Sequence, residues 1–204
     1  MGAKYFGASV VRKEDPRLLR GEGRYVDDIK LPGLLHAAFL RSPHAHARIR
    51  AIRVGAAAAL PGVVRVFTFD DLARWMKPLP LFGAIPPGLG ARVDVRMKQI
   101  PQLALCRDVV RHVGEIVAMV VAESRAVAED ACDLVEVDYE PLPAVVDMLA
   151  GCGAGAPLIH AEWGENTAVY FATGFGDVEA AFREADVRVE ERFHVQRYVG
   201  MPLE

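Results

Sequence analysis

Four groups of residues in this chain have types and spacings that bear on chemistry. Gly21-Glu22-Gly23 has the glycine spacing of a phosphate-cradling turn, which needs a strand before it and a helix N-terminus after it. The next residues, Arg24 to Asp28, read as short and β-like and end in a turn, so a nucleotide loop is not expected. His44 and His46 are two apart, and on an extended chain both imidazoles then face one side. Two imidazoles would start a zinc site, yet a stable site takes three or four protein ligands and no further ligand is near; packing and hydrogen bonding are the expected roles. Cys106, Cys132 and Cys152 are odd in number, far apart and without a Cys-x-x-Cys pair. That spacing argues against a disulfide framework, structural zinc or an iron–sulfur cluster held by this chain alone, and the three read as buried or incidental thiols. Glu115, Glu162 and Glu165 are available carboxylates, for which solvated or hydrogen-bonded surface roles are expected.

The elements that must position these residues are set by periodicity and turn chemistry. Leu31-Pro32-Gly33 is a turn, with proline presetting φ and glycine supplying positive φ. Leu34 to Leu40 then reads as a buried strand, Arg41-Ser42-Pro43 breaks it, and Ala45 to Val54 resumes with period two. An alanine-rich helix over 55–60 ends at Pro61-Gly62. Val63 to Phe67 is a β-branched strand, and Thr68 caps a short helix containing Asp70, Asp71, Leu72 and Trp75. Residues 78–90, rich in proline and glycine, read as an ordered loop or crossover. Ile116 to Ala122 is a continuous apolar run of the kind covered on both faces. Ser124 caps a helix with Val127, Ala131 and Leu134 turned inward, and Val135 to Tyr139 is a strand ended by Pro141 and Pro143. Further on, Asp177 caps a helix, and Val187 to Val195 alternates as a strand.

Composition limits the partners. The 204 residues are 52% hydrophobic and 25% charged, with a net charge of -3 and a pI near 6.1. Such a chain is globular rather than disordered, and its field does not draw in nucleic acid or an anionic membrane. No apolar run approaches the roughly 20 residues of a transmembrane helix, and the N-terminus lacks a secretory h-region. A cytoplasmic location is the default.

The order of these segments carries a further signal. RKED (Arg12 to Asp15), GEGRYVDDIKLPGLLH (Gly21 to His36), RSPHAHARI (Arg41 to Ile49), ALPGVVRVFT (Ala59 to Thr68), VGEIVAMVVAES (Val113 to Ser124) and AEDACDLVEVDYEPLPAVVD (Ala128 to Asp147) together resemble blocks of the large-subunit family of molybdenum hydroxylases. That family includes xanthine dehydrogenase, aldehyde oxidase and carbon monoxide dehydrogenase. The resemblance implies an α+β fold: an N-terminal arm over 1–20, an α/β-hammerhead domain over 21–148, a glycine-rich linker over 149–157, and the opening of the molybdopterin-binding domain over 158–204, cut short at Glu204.

It also implies an oxidoreductase that hydroxylates an aldehyde or N-heterocycle, or oxidises carbon monoxide, with water as the oxygen source. In the whole subunit molybdopterin is expected, in its cytosine dinucleotide form, with 2Fe-2S and FAD in partner subunits. An iron–sulfur small subunit, a flavin medium subunit and a second large subunit are the expected partners, since the chain starts at its own Met1 shortly before the signature. The family's glutamate base and pterin loops lie downstream of Glu204. No catalytic, cofactor-binding or metal-binding residue is therefore assigned to this chain, which is expected to be scaffold and subunit interface. A free-standing hammerhead binding module without redox activity is the alternative, and a metal enzyme built on His44 and His46 a third reading.

Overall fold

The computed structural model describes residues 7–80 and 94–196. The chain divides into two compact units, Met1–Leu34 with Arg188–Glu204, and Leu35–Val187. In the first, helix α1 (Asp15–Leu19) carries Pro16 in its first turn, where a missing N–H leaves no intrahelical bond unmade. Arg24 to Asp28, expected as extended, instead closes into a 3-10 turn over Val26–Asp28, because the Asp28 carboxylate accepts the Tyr25 N–H at 3.0 Å. Leu31-Pro32-Gly33 is the expected turn: Gly33 has φ of 75°, and the Leu34 N–H donates to the Leu31 carbonyl at 3.2 Å.

The second unit begins with β1 (His36–Arg41) and β2 (Ala47–Arg53), then α2 (Gly55–Ala58), β3 (Val63–Phe67) and α3 (Phe69–Leu72). Four short strands come next, β4 (Leu79–Pro80), β5 (Asp94–Met97), β6 (Pro101–Gln102) and β7 (Val109–Val110), before the longer β8 (Ile116–Ala122). The chain continues through α4 (Arg125–Asp133), β9 (Glu136–Pro141), α5 (Met148–Gly151), β10 (Val169–Ala172) and α6 (Val178–Glu184). Among the described residues every pairing is antiparallel, in sheets ordered β1-β8-β3, β7-β2-β9, β5-β10 and β4-β6. This is a mixed α and β architecture, as expected. Most of the loop expected over 78–90 lies outside the described residues.

β8 is the central strand that its apolar run predicts. Val120 is fully buried on one face, packed with Ala57, Val66, Ala131, Cys132 and Val135. Val117 is fully buried on the other, with Ala47, Cys106 and Val110. Helix α4 covers the first face. The Ser124 hydroxyl accepts the Val127 N–H at 3.3 Å, as a cap should. The inward face differs from expectation: Ala128, Ala131 and Cys132 are buried, Val127 is half-buried and Leu134 is 39% exposed. Small side chains let the helix lie close to the sheet, and Leu134 falls at the C-cap, past the last turn. At α3 the Asp71 carboxylate accepts both the Thr68 N–H and its hydroxyl at 2.9 Å. Those bonds hold the carboxyl below its ordinary range, the backbone one foremost. Trp75 lies beyond the end of this helix and is exposed.

Sequence reading finds neither β5 nor β10, two four-residue strands whose partners lie about seventy positions apart. Their pairing continues in the Lys98 N–H donating to the Ala168 carbonyl at 2.8 Å. The glycine-rich stretch before β10 is locally ordered. Asp147 caps α5 by accepting the Leu149 and Ala150 N–H groups at 2.7 and 3.0 Å. A Cβ on Gly151 would stand 2.5 Å from a Val145 methyl, so a larger residue there would have to displace the Val145 side chain. Asn166 donates to the Gly151 and Pro157 carbonyls at 2.9 and 2.8 Å and accepts the Ile159 N–H at 3.0 Å.

The strand expected over Val187 to Val195 does not form. Val187, Val189, Phe193 and Val195 are 77 to 84% exposed, because an alternating pattern offers one apolar face but a strand also needs a neighbour for its ladder. Amides of 187–195 therefore exchange with solvent faster than those of Ile116–Ala122 in hydrogen-exchange measurements; comparable protection would contradict the assignment. Val120→Ala lowers stability by about 2 kcal/mol in urea unfolding, whereas Val64→Ala at a half-exposed position of β3 costs under about 0.5 kcal/mol.

Candidate functional site

The two histidines are placed by the break between β1 and β2. Ser42 continues the β1 pairing, its N–H donating to the Glu115 carbonyl at 2.8 Å and its carbonyl accepting the Gly114 N–H at 2.8 Å. The Ser42 hydroxyl accepts the His44 N–H at 3.0 Å, and the His44 ring meets Tyr139 edge-on at 4.8 Å. His46 is 8% exposed, with Nδ1 2.7 Å from the Pro143 carbonyl. A carbonyl only accepts, so Nδ1 carries the hydrogen. The His44 imidazole thus has a packing partner and the His46 imidazole a hydrogen-bonding one. Among the described residues no three His, Cys, Asp or Glu side chains gather as a metal site would require. Gly21 has φ of 72°, but the chain beyond Gly23 forms only the three-residue 3-10 turn, which supplies no helix N-terminus for a phosphate.

A cleft of about 770 Å³ opens beside β2, β7, the start of β8 and the segment at Ile159 and His160. Arg41, Arg48, Arg107 and Arg111 line it, with Asp108 and Glu115 as its carboxylates. Glu115 accepts the Arg111 backbone N–H at 2.6 Å and lies 3.6 Å from His112 Nδ1. The Arg111 guanidinium donates to the Ile159 carbonyl at 3.2 Å and the Val109 carbonyl at 3.1 Å. His160 stacks on Trp163 at 4.0 Å with Nδ1 3.2 Å from Glu162; burial lowers its pKa and Glu162 opposes that. Glu165 accepts from Lys98 at 2.7 Å, on the β5-β10 side. Of the three carboxylates weighed from sequence, only Glu115 lines the cleft. The arginines escaped sequence reading because Arg48 of β2 alternates with apolar residues as any solvated face does, Arg41 ends β1, and Arg107 and Arg111 come from separate loops.

The thiols differ sharply in environment. Cys106, 4% exposed, forms part of the cleft wall, and burial, helped by the Glu115 carboxylate, pushes its pKa up to about 12. Burial also raises the pKa of Cys132, while Cys152 is exposed. At about pH 8 only about one Cys106 in 10⁴ carries a thiolate. In a timed iodoacetamide reaction of the native chain, Cys152 is alkylated first and Cys106 only after unfolding; early alkylation of Cys106 would contradict its burial.

Comparison with known proteins supplies the family. The model of the aldehyde oxidase and xanthine dehydrogenase a/b hammerhead domain matches residues 20–143. The chain is 40% identical over 199 residues to the nicotine 6-hydroxylase large subunit of Paenarthrobacter nicotinovorans, covering 97% of this chain and 23% of that one. It is 40% identical over 211 residues to the carbon monoxide dehydrogenase large chain of Afipia carboxidovorans, covering 97% and 24%. A crystal structure of a Cu,Mo-containing carbon monoxide dehydrogenase matches with a TM-score of 0.64 at 36% identity, over 89% of this chain and 23% of that one. The chain spans about a quarter of the length of these relatives, which are named as subunits. With a matched domain, relatives at 40% identity and a matching fold, the chain belongs to the aldehyde oxidase and xanthine dehydrogenase family, in its a/b hammerhead region.

Proposed function

We propose that this chain is the N-terminal part of the large, molybdopterin-binding subunit of a molybdenum-dependent oxidoreductase. The enzyme hydroxylates an aldehyde or N-heterocycle, or oxidises carbon monoxide, with water supplying the oxygen. The observation that carries this reading is the 40% identity over 97% of the chain to large subunits about four times its length. In such an enzyme the molybdenum cofactor supplies the two-electron oxidation, and the protein supplies binding and orientation.

Among the described residues no set of buried polar side chains converges as that cofactor would require. A pterin dinucleotide needs several converging polar groups. Among the described residues the buried polar side chains are Ser42 and His46, already hydrogen-bonded to the His44 N–H and the Pro143 carbonyl respectively. The Tyr139 hydroxyl is buried beside Ser42, and one phenol makes no cradle. We assign no catalytic or cofactor-binding role to the described residues, in keeping with the resemblance, which puts the glutamate base and pterin loops further along the subunit. Residues 21–148 act as scaffold and subunit interface, and 158–204 open the cofactor domain after the 149–157 linker. Iron–sulfur and flavin subunits and a second large subunit complete the assembly, in the cytoplasm. Among the described residues no helix is long and apolar enough to cross a membrane.

The test is to read the encoding DNA past the codon for Glu204 and to assay the 204-residue chain. The expected result is a frame that continues into glycine-rich loops, with no turnover of aldehydes, N-heterocycles or carbon monoxide by the chain alone. A stop codon without a neighbouring gene for the missing domain would favour a free-standing hammerhead module, and measured turnover would place the active site here instead.

A further inference from the structure

Arg41 and Arg111 both face the 770 Å³ cleft, and both guanidiniums are held by main-chain carbonyls. Arg41 donates to the Gly114 carbonyl at 2.8 Å; Arg111 donates to those of Ile159 and Val109. Among the described residues no carboxylate oxygen lies within 4.0 Å of either guanidinium. This arrangement matters because a carbonyl fixes the direction of a guanidinium without cancelling its charge, whereas a carboxylate does both.

The other charges at the cleft are engaged locally. Asp108 sits 3.4 Å from Arg107, Glu115 is tied to the Arg111 backbone N–H, and Arg48 shares Glu140 with Arg50. The chain as a whole carries a net charge of -3, yet arginines outnumber carboxylates four to two around this cleft. Between the charged groups Ile49, Ile100, Leu103, Ile116 and Ile159 supply apolar wall, alongside the polar Gln102, His112 and His160. A concave space of this size, its lining shared about equally between polar and apolar groups, has room for a small molecule that presents both kinds of surface.

The geometry points to a binding site for a small organic carboxylate with an apolar body, its carboxylate met by Arg41 and Arg111 and its body seated against the isoleucines. A planar guanidinium pairs with a carboxylate through two parallel N–H···O bonds, and the isoleucines and Leu103 give an apolar body contacts that a fully hydrated inorganic anion cannot make. The site rests on the geometry of Leu35–Val187 and is independent of the activity of any longer enzyme.

The test uses benzoate as probe, with benzamide as its neutral isostere and inorganic phosphate as the apolar-free anion, titrated into the 204-residue chain by calorimetry. Benzoate is expected to bind saturably with a Kd below about 10 mM, more weakly as salt is raised, with neither benzamide nor phosphate reaching that affinity. Arg41→Gln and Arg111→Gln each weaken benzoate by about tenfold, while Arg125→Gln, on the exposed face of α4, leaves it unchanged. Arg41 is exposed and has one carbonyl partner, so Arg41→Gln decides the matter even if Arg111→Gln does not fold. Absence of saturation, equal binding of benzamide, preference for phosphate, or benzoate affinity indifferent to Arg41→Gln would each overturn the proposal.

Discussion

A strand removed from water on both faces needs hydrogen-bonded neighbours on both edges and apolar cover on both sides, and β8 meets all four requirements. β1 and β3 occupy its edges, α2 and α4 with β3 residues cover Val120, and Ala47, Cys106 and Val110 cover Val117. Two small cores thereby share one strand. Neither is large, so the unit's cohesion depends on the backbone ladder that passes between them as much as on the apolar area within either.

The same strand also sets the floor of the cleft. Gly114 and Glu115 lead into it, and their backbone groups bond Ser42 just beyond the end of β1. Arg41, at that end, reaches the Gly114 carbonyl, and Glu115 holds the backbone of Arg111. The placement of Arg41, Glu115 and the Arg111 backbone therefore descends from the register of β1 on β8. A binding surface built this way is preorganised, and association does not have to order it. Residues far from the cleft, such as the alanines of α4, contribute to that preorganisation by fixing where β8 lies.

How much the amino-acid order reveals depends on how local the determining interaction is. The Ser124, Thr68 and Asp177 caps, the Gly33 turn and the apolar run of β8 are decided within a few residues, and the structure has them where sequence reasoning puts them. The Tyr25–Asp28 turn is equally local, but its aspartate closes it by a side-chain bond that β propensity does not register. β5 and β10 are illegible for another reason: each is four residues long and their pairing spans the chain. Val187 to Val195 shows the converse, an alternating pattern without a ladder. The roles of His44 and His46 were legible as packing and hydrogen bonding; the cleft was not, because its arginines come from β1, β2 and two loops and meet only in three dimensions.

Asn166 gives the glycine-rich stretch a different physical character from that of a spacer. Its amide bonds the carbonyls of Gly151 and Pro157 while its oxygen receives the Ile159 N–H, so residues 151–157 are a closed ring with one side chain as the clasp. Closing a loop costs entropy that grows only with the logarithm of its length. The small residues inside the ring can therefore vary in number with little thermodynamic effect, provided the clasp and its three backbone partners persist. The structural information of this stretch resides in an asparagine outside it.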